Sequence, residues 1–457
     1  MNSRKIVKID FLTQCAANLA LQGGDGVAVL ALECGWIYSI SMTRRQAFKY
    51  RIEPTGEQQR KLRQFAGSCR FVFNKALALQ QANREAGEKF IGYVPMAKHL
   101  TAWRKGAETP WLKDAPVHPL QHALKDLDRA YSNFFAKQAD FPRFKKKGMG
   151  DSFRYPDPKQ IKLDQGNARL FLPKLGWLRY RNSRQVLGTV KNVTVSLSAG
   201  RWFASIQTER EVETPLHASP LAVGIDLGIV RFATLWDGTQ ETILPPLNSF
   251  KRHQQRLAKA QRQMSHKTKF SSNWKRAKTR VQRIQRQIAN TRNDYLHKAS
   301  HSISKSHALL CVEDLQVSNM SRSAKGSAAQ PSRNIRQKSG LNRSILDQGW
   351  GEFRRQLDYK SAWTGGWLVA VPAQNTSRQC PVCGHVHADN RQTQALFLCT
   401  ACGHCENADR VAAKNIRERG LNLLKGPDMA RIACAVNGAV RPSAAGTHRS
   451  DDAAQAA

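Results

Sequence analysis

Two pairs of cysteines in the last quarter of this 457-residue chain constrain its fold more than any other feature. Cys380-Pro-Val-Cys383 and Cys399-Thr-Ala-Cys402 are separated by fifteen residues, and a glycine follows each pair. This spacing is typical of a zinc ribbon, in which four thiolates surround one ion tetrahedrally. Because four thiolates leave no open position for water, we expect a structural Zn²⁺ bound by Cys380, Cys383, Cys399 and Cys402.

The remaining cysteines favour the same interpretation. Five of the ten cysteines lie between Cys380 and Cys405, and the others are scattered along the chain. Such clustering favours a metal site over a disulfide framework and indicates a reducing compartment. Cys405 is not followed by glycine, so we leave it outside the predicted site. The longest early apolar run, Val27 to Leu32, is too short to cross a membrane, and we expect a cytoplasmic protein.

The charge of the chain predicts a polyanionic partner. Its 72 lysines and arginines outnumber its 34 acidic residues and leave a net charge of +38. Nucleic acid is the usual partner of so basic a protein. Two segments concentrate these cations, the run Phe141 to Gly148 and the region from Lys251 to Lys298, where Asp294 is the one acidic residue. The predicted nucleic-acid contacts are Arg143, Lys145, Lys146, Lys147, Lys275, Arg276 and Arg280.

Three acidic residues stand at positions that suit a divalent metal site. Asp226 follows a short apolar run, Glu313 ends another, and Asp409 lies in the first turn of a predicted helix. Three strands, a helix, a strand, a helix, a strand and an acidic helix make the order of an RNase H-like fold. In that order the three carboxylates converge and can hold two divalent ions about 4 Å apart. For Asp226 alone, a solvent-exposed bend is the alternative explanation.

The overall prediction is a multidomain α/β protein. Thr55 and Gln58 form a capping-box signature at the start of a helix, and alternating strands follow residue 169. A loop-like, mobile stretch is expected from Ser318 to Gly340. The first predicted segment is an N-terminal extension at 1–41 of unknown role, with Met42 as a possible start. A β-barrel or sheet domain at 42–55 and 140–215 and a helical domain at 56–139 follow. The rest is an RNase H-like domain at 216–376 and 406–425 with a basic helical hairpin at 246–300, a zinc ribbon at 377–405 and a disordered tail at 426–457.

These motifs resemble those of the TnpB family, transposon-encoded relatives of type V CRISPR effector nucleases. The resemblance rests on Asp226 in Gly-Ile-Asp-Leu-Gly, Glu313 in Val-Glu-Asp-Leu, the run from Thr376 to Gly384, and Asp409 before Ala-Ala-Lys-Asn-Ile. It spans nearly all of residues 42–421, including the segment Arg70-Phe-Val-Phe-Asn74.

The resemblance implies an RNA-guided endonuclease that cuts both strands of DNA beside a short target-adjacent motif. It implies a RuvC-like site with Asp226, Glu313 and Asp409 as catalytic ligands of Mg²⁺, a wedge-type β-barrel and a helical recognition domain. The implied partners are a guide RNA from the transposon end and double-stranded DNA, with a monomer favoured and the nucleoid as the place of action.

Two alternatives remain open at this stage. One is a transposase that joins DNA ends, although such enzymes typically end their acidic triad on Glu. The other is a nuclease-inactive, RNA-guided DNA-binding regulator, a class that loss of the acids would mark. One departure from the family pattern is Val411, which stands where the family usually has Asn. We expect activity, with the last helix slightly displaced.

Overall fold

The computed structural model describes residues 41–324 and 333–425. The predictions for the N-terminal extension up to residue 40 and for the tail at 426–457 lie outside these residues. The described residues divide into two compact units, 41–213 and 214–425. In neither unit does the described part of the chain contain a helix long and apolar enough to cross a membrane.

The first unit combines two antiparallel sheets with three helices. One sheet has the strand order β1-β7-β6-β2, and the other has the order β3-β4-β5. One hydrophobic cluster runs through the sheets and the helices. The elements are β1 (Ser41–Arg51), α1 (Gly56–Glu85), α2 (Tyr93–Lys105), α3 (Val117–Phe135), β2 (Ser152–Tyr155), β3 (Lys162–Asp164), β4 (Arg169–Leu172), β5 (Gly176–Arg179), β6 (Thr189–Ser198) and β7 (Arg201–Glu213).

The capping box at the start of α1 is confirmed. The backbone N–H of Gln58 donates to the Thr55 hydroxyl at 3.3 Å, and the Gln58 side chain accepts from the backbone N–H of Thr55 at 3.1 Å. Two orphan donors of the first helical turn are thereby satisfied. The helix then buries Leu62, Phe65 and Val72 on one face, as their spacing predicts.

The predicted β-barrel is not closed, and the alternative of open sheets is the one observed. Within residues 41–213, an isolated antiparallel bridge between Ile52 and Tyr180 joins the two sheets, but no strand pairing completes a ring. The physical reason is the length of the strands. Four of them, β2 to β5, span only three or four residues each, whereas a barrel needs strands long enough to tilt and pair all the way round.

The second unit is built on one five-stranded sheet with the order β10-β9-β8-β11-β12. β8, β9 and β10 pair antiparallel, and β11 lies parallel to both β8 and β12. The elements are β8 (Ala222–Leu227), β9 (Ala233–Trp236), β10 (Glu241–Leu244), α4 (Ser249–Ser265), α5 (Ser272–Ser306), β11 (Leu309–Glu313), α6 (Val317–Met320), α7 (Ile335–Gln348), α8 (Trp350–Thr364), β12 (Trp367–Val371), β13 (Leu396–Leu398), β14 (Cys405–Asn407) and α9 (Ala408–Lys425).

Helices cover both faces of this sheet. Alternate residues of β8 and β11 pack against α5 and α8 on one face, where Leu296 and Phe353 are fully buried. The other residues of the same strands pack against α9. In the range of the expected helical hairpin, α4 and α5 pack together through a small apolar cluster. The predicted loop at Ser318 to Gly340 is wrong in part, because helix α7 begins at Ile335 and buries Ile345.

Candidate functional site

Asp226 and Glu313 occupy the carboxyl ends of neighbouring parallel strands. β8 and β11 pair with Ile225 opposite Val312, so the next residue of each strand is one of the two acids. Neighbouring strands lie about 4.8 Å apart, and paired positions point to the same face of a sheet. The two carboxylates therefore leave the sheet side by side.

Strand alternation turns both carboxylates toward α9. Ala222 of β8 and Cys311 of β11 pack with Ile416 of α9 in one hydrophobic cluster. Asp226 and Glu313 lie an even number of residues further along these two strands, so they face the same side. The apolar pattern that buries the sheet thus also orients the acids.

Two glycines allow α9 to approach the sheet closely. A Cβ atom added at Gly224 would stand 2.0 Å from the backbone oxygen of Ala413, and one added at Gly420 would stand 2.1 Å from the sulfur of Cys311. The helix backbone therefore lies directly on β8. Its first turn carries Asp409, whose backbone N–H donates to the side-chain oxygen of Asn407 at 3.0 Å.

The charges of the other two acids both act on Asp226. Burial raises the pKa of Asp226 to about 8, and the charges of Glu313 and Asp409 act in the same direction. Burial also raises the pKa of Glu313. The positive charge of Arg391, in the segment between the two cysteine pairs, lowers the pKa of both Asp226 and Glu313.

Neighbouring side chains hold two of the acids in place. The buried Thr376 hydroxyl donates to the Glu313 carboxylate. The Asn415 side chain on α9 donates to the backbone oxygen of Thr376 at 2.7 Å, which ties that segment to the helix. On the other side, the Arg231 guanidinium lies 3.9 Å from the Asp409 carboxylate.

The acid next to Glu313 is turned away from this site. Asp314 pairs with Arg354 at 2.5 Å, and its side chain is 48% exposed. Its position one residue after Glu313 directs it to the opposite face of the strand. Asp314 is therefore a natural reference for variants of the site.

The four predicted cysteines form a compact cluster. In the part of the chain that the structure describes, they are the one group of at least three possible ligands whose ligating atoms all lie within 4.8 Å of one another. Cys380 and Cys402 sulfurs are 3.6 Å apart, and those of Cys383 and Cys399 are 3.5 Å apart. Zn–S bonds of about 2.3 Å in a tetrahedron place sulfurs about 3.8 Å apart, so the cluster fits this ion. Cys405 is exposed and outside the group.

The two cysteine pairs adopt the same backbone turn. Gly384 and Gly403 have φ angles of 74° and 73°, which glycine adopts without strain. Their N–H groups donate to the carbonyl oxygens of Cys380 and Cys399, both at 3.0 Å. Burial acts to raise the pKa of Cys399, but backbone N–H groups and the neighbouring thiols lower it to about 6. The pKa values of Cys383 and Cys402 are raised instead, so only part of the cluster favours the thiolate form without an ion.

Three family models match this chain. The OrfB model of the IS605 type, described as "Probable transposase", matches residues 205–324, and a model described as "Cas12f1-like, TNB domain" matches residues 350–416. A model described as "Helix-turn-helix domain" matches residues 42–89, where the structure has strand β1 followed by the single helix α1. The first two matches together contain the three acids and the four cysteines.

Curated relatives establish the family. InsQ of Escherichia coli (strain K12), a candidate RNA-guided DNA endonuclease, is 56% identical over 383 residues, which are 84% of this chain and 94% of InsQ. The chain belongs to the TnpB (OrfB) family. A candidate RNA-guided DNA endonuclease of Streptomyces pristinaespiralis is 36% identical over 82% of this chain and 90% of its own length.

A solved structure supports the fold of this TnpB-family chain. The protein in a cryo-EM structure of a Cas12f1–sgRNA–target DNA complex matches with a TM-score of 0.52 at 10% identity, over 82% of this chain and 99% of that chain. At this identity the match shows the multidomain α/β fold alone.

The predicted nucleic-acid contacts of this TnpB-family chain lie in both units, and all seven residues are exposed. Lys275, Arg276 and Arg280 lie on α5. The Lys145 ammonium, however, lies 4.0 Å from the centroid of the Phe73 ring. The Lys145 ammonium is thus engaged within its own unit.

Sequence reasoning missed the residues that support the acids. Thr376 and Arg231 each contact one carboxylate, and Arg391 acts on two through its charge. Thr376 stands at the start of the motif that suggested the family, which was the one available signal. Val411, at the departure from the family pattern, is fully buried and packs with Cys380 and Phe397.

Proposed function

We propose that this protein is an RNA-guided DNA endonuclease, with residues 214–425 forming an RNase H-like, RuvC-type nuclease domain into which a zinc ribbon is inserted between β12 and α9. The observation that carries the proposal is that Asp226 and Glu313 lie side by side on neighbouring strands, and that the charges of Glu313 and Asp409 both act on Asp226. The names of the relatives support the activity, and the strand order β10-β9-β8-β11-β12 supports the domain type.

The carboxylate site fits hard divalent cations such as Mg²⁺. Its donors are carboxylate oxygens, which such ions prefer, and burial, together with the charges of Glu313 and Asp409, raises the pKa of Asp226. Two ions there would supply an activated water and stabilise the leaving 3′ oxygen. Asp226 and Glu313 would hold them from the strand ends, and Asp409 would hold them from α9.

The residues around the three acids support them or add charge to the site. Thr376 orients Glu313 through its hydroxyl, and Arg231 restrains Asp409. Arg391 adds a positive charge that suits an approaching phosphodiester. The zinc ribbon, with Cys380, Cys383, Cys399 and Cys402 as ligands, would support the segment that carries Arg391.

The implied partners follow from the family. A guide RNA from the transposon end and double-stranded DNA are proposed, with the exposed cations at 143, 146, 147, 275, 276 and 280 contacting phosphates. The similar Cas12f1 structure is a complex with an sgRNA and target DNA, which supports this pairing of partners. We propose a monomer that acts at the nucleoid.

The test is cleavage by protein purified together with its RNA. That RNA is sequenced, and a DNA library carrying the matching target is offered with Mg²⁺. Asp226→Asn should slow cutting by more than about a hundredfold, beyond the loss typical of an outer-shell partner, while target binding persists. Asp314→Asn, the neighbouring acid that faces away, should cut like wild type. Equal cutting by wild type and Asp226→Asn would refute the site, and joined rather than cut ends would favour a transposase.

A further inference from the structure

The turn between α4 and α5 carries two aromatic side chains at the end of the basic hairpin. Phe270 is 67% exposed, and its ring centroid lies 5.6 Å from that of Trp274. The apolar seam between the helices is made by other residues: Leu257, Ala260, Val281, Ile284 and Ile288, with Phe250 and Met264 packed against them. The packing of the hairpin therefore does not account for these two rings.

The backbone at this turn is also unfavourable for a bulky residue. Phe270 has a φ angle of 71°, in the left-handed region that favours glycine. Strain of this kind in a non-glycine residue concentrates at functional positions. Exposure of the ring and strain of the backbone both oppose stability, which points to a role in binding.

The surroundings of the two rings are strongly cationic. The Lys269 ammonium lies 5.5 Å from the Phe270 ring centroid, and the Lys278 ammonium lies 5.2 Å from the Trp274 ring. From Ser249 to Ser306 the chain holds sixteen lysines and arginines but one acidic residue, Asp294. Asp294 is itself paired with Lys298 at 2.8 Å.

We propose that Phe270 and Trp274 form a stacking platform for unpaired nucleobases, with the adjacent lysines contacting the phosphates of the same strand. Aromatic faces bordered by cations bind single strands in this way, because every base has a face that can stack. A duplex hides those faces within its own stack. The platform would therefore distinguish unpaired from paired segments, a property that does not depend on cutting at the carboxylates.

Single-stranded nucleic acid fits this surface better than an acidic protein does. An acidic protein would be attracted by the lysines but would gain little from one exposed ring, Phe270, beside the half-buried Trp274. A nucleic-acid strand uses both features at once. Displaced DNA and unpaired RNA share this chemistry, and the experiment separates them.

The experiment measures binding by the full chain, washed free of copurified nucleic acid at high salt and kept without Mg²⁺. The probes are oligo-dT and oligo-U strands, each containing one 2-aminopurine, and a blunt duplex of equal length. Phe270→Gly and Trp274→Ala should each weaken single-strand binding by about fivefold or more, the lower end for one stacked base. Quenching of 2-aminopurine should fall, while duplex binding and the salt dependence stay unchanged.

Phe270→Gly also separates binding from folding. Glycine removes both the ring and the backbone strain, so the melting temperature should hold or rise. As the matched charge control, the Lys269→Gln/Lys278→Gln variant should weaken single-strand and duplex binding alike and reduce the salt dependence. A greater loss on dT or on U identifies DNA or RNA as the natural strand. Unchanged single-strand binding, an equal loss on the duplex, or a lower melting temperature of Phe270→Gly would overturn the proposal.

Discussion

At the scale of single residues, the candidate site is a concentration of negative charge that a cation would relieve. Burial of Asp226 removes the water that would screen its charge, and Glu313 and Asp409 repel that charge. Without a metal ion, protonation of Asp226 removes this unfavourable charge, which is why its pKa rises to about 8. The repulsion and burial that disfavour the ionised carboxylates without a cation favour Mg²⁺ binding.

This conflict predicts a pH-dependent stability. Because the folded pKa of Asp226, about 8, lies above the ordinary value of 3.8, the folded state binds more protons than the unfolded chain between these pH values. Stability should therefore fall as pH rises from about 4 to 8. Asp226→Asn cannot ionise, so its melting temperature in Mg²⁺-free buffer should exceed that of wild type by about 5 °C at pH 8 and match it at pH 4.

Addition of Mg²⁺ at pH 8 should close this gap, because the ions stabilise wild type and not the variant. Asp294→Asn, which changes an exposed carboxylate in α5, should follow the wild-type curve. Thermal melts across pH, without a chelator that would also remove zinc, give the measurement. A gap that is constant with pH would contradict the assigned cause.

How much of the site could be read from the sequence depends on how local each residue's role is. Asp226 and Glu313 lie at the carboxyl ends of apolar strands, a pattern visible in the chain itself. Thr376 and Arg391 act across long loops, and only the fold brings them to the acids. For Val411 we expected a slight displacement of the helix. It is fully buried in an apolar cluster, but that contact does not test the displacement.

At the scale of elements, the close contact between α9 and the sheet decides whether Asp409 reaches the strand ends. Gly224→Ala places a methyl group 2.0 Å from the oxygen of Ala413. Overpacking against backbone typically costs about 1–3 kcal/mol. We expect a loss of about 2–3 kcal/mol in the free energy of unfolding and loss of DNA cutting, since the helix must shift and carry Asp409 with it.

Gly340→Ala is the matched control for this substitution. Gly340 lies within helix α7 with no atom near the position of an added Cβ, so alanine should stabilise the helix by up to about 1 kcal/mol and leave cutting unchanged. Denaturant unfolding and cleavage assays on both variants provide the test. Normal cutting by Gly224→Ala would show that the helix does not position Asp409.

The cysteine cluster is an element whose stability depends on its ion. Purified, reduced protein should contain one zinc per chain. Cys399→Ser should lose it and melt several degrees lower, because structural zinc contributes directly to folding. Cys405→Ser, which changes an exposed cysteine outside the cluster, should keep its zinc. Metal analysis and thermal melts of both variants decide the matter, and wild-type zinc content in Cys399→Ser would exclude Cys399 as a ligand.

The elements were more predictable than their assembly. Apolar runs predict strands such as β8 and β11, and the capping box predicts the start of α1. The β-barrel prediction was wrong because alternation reveals strands but not whether the last one pairs with the first. Loop composition misled at the start of α7, because the Arg, Lys, Ser and Gly residues there favoured a loop where the helix has already begun at Ile335.

At the scale of the whole molecule, the net charge of +38 implies that binding releases counterions from the nucleic acid, so that affinity depends on salt concentration. If six or more of the exposed lysines and arginines contact phosphates, DNA affinity should fall by about a thousandfold or more between 50 and 200 mM salt. The fall should be equal for matched and unmatched DNA, because phosphates carry no sequence information. Replacing Lys275, Arg276 and Arg280 by Gln should reduce the slope of log affinity against log salt by about three. Titrations at four salt concentrations measure both slopes, and an unchanged slope in the triple variant would remove this face of α5 from the interface.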